Sequence, residues 1–77
     1  MTRYQFAISN TSVVRETGVV NSDSFTDALT TVSKHVSAEA GDMLEIGVVG
    51  FPPARFRCIG STLNGSPSWR PLGQLAA

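Results

Sequence analysis

Only one stretch of this 77-residue chain carries a helical hydrophobic period, and a single helix sharply limits the folds open to it. The stretch is DSFTDALTTVSKHV, from Asp23 to Val36. Phe25, Ala28, Leu29, Val32 and Val36 recur at the spacing that lines side chains along one stripe of a helix. Ser24 precedes the stripe and Asp27 follows it three residues on, a shortened capping box whose hydroxyl can accept from an early backbone N–H. Asp23 and Asp27 lie at the positive end of the helix dipole, Lys34 and His35 near the negative end. Thr30, Thr31 and Val32 are β-branched and weak helix formers, so this helix needs a surface to pack on, with Leu29 and Val32 both expected against it. Gly41 reads as its stop, and residues 38–40 as room for a last ragged turn.

The rest of the chain reads as strand and turn. Arg3 to Ser9 alternates, with Tyr4, Phe6 and Ile8 on one face and Arg3, Gln5, Ala7 and Ser9 on the other. Asn10-Thr11-Ser12 has turn chemistry and leads into a second strand, Val13 to Val20, as its hairpin partner. The faces of that strand are less distinct: either both are partly covered, or Gly18 marks a bulge that shifts the phase. After the helix, residues 43–49 return as a strand with Leu44, Ile46 and Val48 inward and Glu45, Gly47 and Val49 outward. Gly50-Phe51-Pro52-Pro53-Ala54 cannot continue a ladder, because neither proline donates, and forms a rigid loop that displays Phe51. Arg55 to Gly60 is a fourth strand with Phe56 and Cys58 inward and Arg55, Arg57 and Ile59 outward. Asn64-Gly65 is a strong turn signal before a short edge strand around Ser68-Trp69-Arg70, flanked by Pro67 and Pro71. Residues 73–77 read as a loose tail.

The order is β-β-α-β-β-β. One amphipathic helix can cover one face of such a sheet and no more. The expectation is a two-layer α+β domain spanning residues 1–77: an antiparallel sheet of four to five strands, the helix across one face, the other face open.

Chemistry is harder to find. His35 is the single histidine and has no recognisable orienting or nucleophilic partner, so it reads as a boundary or surface residue. Cys58, the single cysteine, shares a strand face with Phe56 and reads as a buried thiol. One His and one Cys cannot make a zinc site, and no phosphate-loop, dinucleotide or nucleophile-elbow spacing occurs. The expectation is a protein that is not an enzyme and needs no metal or cofactor. The amino-terminal MTRYQFAIS alternates like a strand and lacks the apolar core of a signal peptide, and no apolar run is long enough to span a membrane. A reducing, cytoplasmic setting follows as the expectation.

Charge is uneven although the net charge is zero. Residues 1–45 carry three basic and six acidic groups, whereas residues 46–77 carry three arginines and no acid. Arg55 and Arg57 project from one strand face, and Arg70 can lie beside them. Such a row can meet phosphates, but single-strand binders also stack bases on aromatics, and the open face offers only Trp69 for that. Protein binding fits better. Arg55, Arg57, Ile59, Phe51, Trp69 and Arg70 are the candidate contact residues, with Phe51 and Trp69 as aromatic anchors or as side chains closing the ends of the core.

The layout Tyr4-x-Phe6-x-Ile8, then Gly18-Val19-Val20 before Ser24-Phe25-x-x-Ala28, then Leu44-x-Ile46 and Asn64-Gly65 ahead of Trp69, resembles small phage and mobile-element proteins. It is similar in particular to ββαββ-type anti-CRISPR proteins. That resemblance implies an inhibitor that binds a Cas protein or surveillance complex where guide or target nucleic acid should lie; it transfers no residue roles. The chain is less charged than a nucleic-acid mimic would be. The functional expectation is a non-enzymatic, mobile-element binding protein that occupies a surface on a larger protein or ribonucleoprotein. A nucleic-acid-associated module using the arginine face, and a domain that homodimerises through its open face, are the alternatives.

Overall fold

A computed structural model describes residues 1–11, 13–63 and 65–72. Its elements are β1 (Thr2–Asn10), β2 (Val13–Ser22), α1 (Phe25–His35), β3 (Met43–Val48), β4 (Ala54–Ser61) and β5 (Pro67–Pro71). They form one antiparallel sheet in the order β2-β1-β3-β4-β5 with α1 on one face, the two-layer α+β arrangement expected. Ser12, Asn64 and the tail 73–77 lie outside the described residues.

The helix starts where its cap dictates. Ser24 holds extended backbone while its hydroxyl accepts from the Asp27 N–H at 3.1 Å. It ends earlier than Gly41 suggests, because Val36 already leaves helical geometry, its own N–H bonding back to the Val32 carbonyl. Val36 is buried, so the chain trades a further helical turn for a place in the core. Gly41 instead serves the next turn, at φ 99°.

Tyr4, Ile8, Ala28, Val32, Val36, Leu44, Ile46 and Phe56 make the core between helix and sheet. Phe25 bridges its aromatic members, edge-on to Tyr4 at 6.2 Å and stacked on Phe56 at 6.0 Å between ring centres. Val32 is fully buried, whereas Leu29, expected beside it, is half-buried and packs on the margin. Ala28 is fully buried beside Val32 on the same side of the helix.

The phase shift in β2 is real, but Gly18 does not cause it. Ile8 faces Glu16 while Ser9 faces Val14, so Arg15 is the extra residue of a bulge. Gly18 plays a different part: a larger residue there has to displace the Phe6 ring. It faces Phe6, whose ring lies over it, and a Cβ there would come within 2.7 Å of the ring carbons. Gly47 is the second such position: it is buried beneath Pro53, whose Cα would stand 2.9 Å from an added Cβ. The loop after β3 therefore folds back over the otherwise open face, and Gly47 is its seat.

β1 lies at the middle of the first three strands, which chain order does not reveal. β2 and β3 both run antiparallel to it, so α1 crosses over β1 to carry the chain from one side to the other.

Candidate functional site

The sheet face away from α1 is built by parity. Gln5, Ala7 and Ser9 on β1 point to it, as do Met43 and Glu45 on β3, Arg55 and Arg57 on β4, and Arg70 on β5. Register then sets the rows. Ser9, Met43, Arg57 and Arg70 stand opposite one another across four strands; Ala7, Glu45 and Arg55 form the next row.

The two rows differ electrostatically. In the second, Arg55 Nε donates to Glu45 Oε2 at 3.1 Å, an exposed pair worth little to stability. In the first, Arg57 faces Arg70 directly, and neither has a carboxylate within 4.0 Å among the described residues. Like charges opposed across a ladder are mildly destabilising. Beside them a shallow concavity of about 560 Å³ is lined by Ser9, Thr11, Gly41, Met43, Glu45, Arg55 and Arg57, combining hydroxyls with cations. A smaller depression of about 330 Å³ lies further along the same face, between Gln5, Ala7, Thr17, Val19, Glu45 and Pro53, and is mainly apolar.

Of the six expected contact residues, the structure gathers Arg55, Arg57 and Arg70 on this face. Ile59 stands exposed at a second bulge, where Cys58 faces Trp69 and Gly60 faces Ser68. Phe51 is 66% exposed in the loop before β4, toward the other end of that strand. Trp69 does not join them. It shares the inward face of Cys58, packs on the core and donates from Nε1 to Ser33 Oγ at 2.7 Å; Ser33 Oγ in turn donates to the Leu29 carbonyl at 2.8 Å. Trp69 closes the end of the core, and the arginine face has no tryptophan.

One polar cluster had no signal in the sequence. Asp42, only 1% exposed, accepts from Asn10 Nδ2 at 2.7 Å, from the Glu39 N–H at 2.9 Å and from the Arg15 guanidinium. The same Arg15 nitrogen donates to the Ser37 carbonyl at 3.0 Å. Every buried oxygen of the cluster is partnered, so it clasps β1, the β2 bulge and the loop after α1 without an open position for substrate. Thr11 beside it adopts a left-handed φ of 52° and donates its hydroxyl to Asn10 Oδ1.

Cys58 is buried and donates to the Gly60 carbonyl at 3.3 Å; His35 is exposed at the helix end. No group of three or more potential metal ligands occurs among the described residues, and no described helix is long and apolar enough to cross a membrane. Compared with known proteins, the chain matches no family model, no curated protein and no solved structure.

Proposed function

We propose that this chain is a non-enzymatic binding protein whose arginine-bearing sheet face occupies an acidic surface on a larger protein or ribonucleoprotein. What carries the reading is the Arg57–Arg70 opposition: two arginines directly across the β4–β5 ladder, neither with a carboxylate within 4.0 Å among the described residues, next to a third arginine whose partner is weak and exposed. A folded chain gains nothing from that arrangement alone, whereas a partner carrying carboxylates would neutralise both groups through bidentate bonds. Exposed Ile59 and Phe51 supply apolar contacts at either end of β4. The inhibitory, mobile-element part of the reading rests on the resemblance of the strand and helix layout to anti-CRISPR proteins. A reducing, cytoplasmic setting fits a lone buried thiol. Nucleic acid is less favoured, because the inward turn of Trp69 deprives the face of its one stacking platform.

The test is retention of a partner from host lysate, with and without nuclease, on wild type and on Arg57→Ala/Arg70→Ala. Retention should survive nuclease and fall at least about tenfold in the double variant, with Arg→Lys already weaker through loss of the bidentate fork. Tight binding of the isolated protein to single-stranded oligonucleotides near physiological salt, with a salt slope that drops by about two in the double variant, would replace this reading with the nucleic-acid one.

A further inference from the structure

Independently of the arginine face, we infer that the outer edge of β2 is a pairing site for a second copy of this chain, joining two sheets into one through antiparallel β2–β2 pairing centred on Val19. The sheet has two edges, and they are treated differently. β5 is five residues long with proline at both ends, the usual protection of an edge against further pairing. β2 is ten residues long and holds no proline. Its first part is guarded by the bulge and by the charges of Arg15 and Glu16; from Thr17 to Ser22 there is no such guard.

Which backbone groups that edge offers follows from a single hydrogen bond. The Val49 N–H donates to the Arg3 carbonyl at 3.1 Å, so Arg3 directs its backbone groups toward β3. Alternation then sends those of Gln5 and Ala7 the same way and those of Tyr4, Phe6 and Ile8 toward β2, where they meet Val20, Gly18 and Glu16. Thr17, Val19 and Asn21 are left with N–H and C=O pointing off the sheet. Their side chains lie on the face away from the helix, and Val19 is 51% exposed.

These three positions allow few symmetric registers. Centring on Val19 sets the exposed valines against each other, Thr17 against Asn21, and Glu16 against Ser22. It also brings Asp23 of one copy toward Arg15 of the other, whose Nε and Nη1 are not used by Asp42 or Ser37. Centring on Thr17 would oppose Val19 to Arg15, and centring on Gly18 would oppose Glu16 to Val20; neither is complementary. The Val19 register forms about six backbone hydrogen bonds and keeps both helices on one face of the joined sheet, since antiparallel pairing has its two-fold axis normal to the sheet. A strand pair alone buries little area, so the dimer is of modest affinity.

Sedimentation of the whole chain up to about 1 mM tests this, the upper limit chosen for so small an interface. Wild type should reach twice its 8.2 kDa mass as concentration rises, and Val19→Lys should remain at 8.2 kDa with unchanged circular dichroism. Val19→Cys should oxidise to a reducible covalent dimer, since Cys58 is buried, whereas Thr17→Cys should not, because its counterpart across the axis is Asn21. A wild type monomeric throughout overturns the inference. So does a dimer untouched by Val19→Lys but dispersed by Ile59→Glu, or cross-linking through Thr17→Cys in place of Val19→Cys.

Discussion

The guanidinium of Arg15, the extra residue of the β2 bulge, reaches the carboxylate of Asp42, which is buried at the mouth of β3. The bulge is what makes the contact: one added residue turns an edge side chain toward the loop that follows the helix. Asp42→Ala should therefore cost about 1–3 kcal/mol, because the bonds that Asn10, Arg15 and the Glu39 N–H make to one buried carboxylate are lost together, a large share of what holds a marginal domain folded. Asp42→Asn keeps the shape and should cost clearly less. Urea titration of the two variants gives the ordering, and equal midpoints would remove Asp42 from the architecture.

Helix packing makes a second ordering. Val32 is fully buried and Leu29 only half, so Val32→Ala should cost about 2–3 kcal/mol and Leu29→Ala less, despite the larger side chain removed. Denaturant midpoints measured under one set of conditions decide it; a Leu29 variant weaker than the Val32 variant contradicts the burial that the structure gives the two positions.

Trp69 is the chain's single tryptophan and reports its own environment. Its emission should shift to the red on unfolding. Trp69→Phe should lose about 1 kcal/mol from the missing bond to Ser33, beyond what the smaller ring loses in packing. Ser33→Ala should reproduce the hydrogen-bond part alone, and a double-mutant cycle should show the two coupled. Additive effects would mean the bond contributes nothing.

Arg57 gives a prediction of opposite sign. Removing one member of a directly opposed like-charge pair should leave stability unchanged or raise it, by roughly 0.2–1 kcal/mol for Arg57→Thr at low salt, and the gain should fade as salt is added. Stability gained while partner retention is lost is the signature of a residue kept for binding. A clear destabilisation by Arg57→Thr would make the pair structural.

These contrasts mark what the sequence could convey. Alternation in β1, β3 and β4 and the Ser24 cap are local patterns, so the elements and their inward faces were legible within a residue or two. Asp42 was not, because its partners lie 27 and 32 residues away and an aspartate after glycine looks like any turn residue. The Arg15 bulge hid for a related reason: a period-two pattern interrupted by one residue resembles a strand with mixed faces. Trp69 carried no face label until its pairing with Cys58 fixed the parity of β5. Phe51 and Pro53 read as a rigid loop, but the return of that loop over Gly47 depends on a missing side chain on the strand it has just left.

The central place of β1 has a kinetic meaning. β1 with β2 is a local hairpin and β3-β4-β5 a local meander, and within the sheet the two meet only along the β1–β3 ladder. The chain is thus two pieces in one covalent strand, with α1 laid across the join and the Asp42 cluster fastening it from both sides: Asn10 and Arg15 come from the first piece, Glu39 and Asp42 from the second. Folding must wait for that long-range ladder, the slowest kind of contact to close. Once formed, it should outlast the peptide bond that links its halves. A chain cut between Ser37 and Glu39 should reassemble from its fragments and restore the emission of Trp69, whereas the same fragments bearing Asp42→Ala should stay apart.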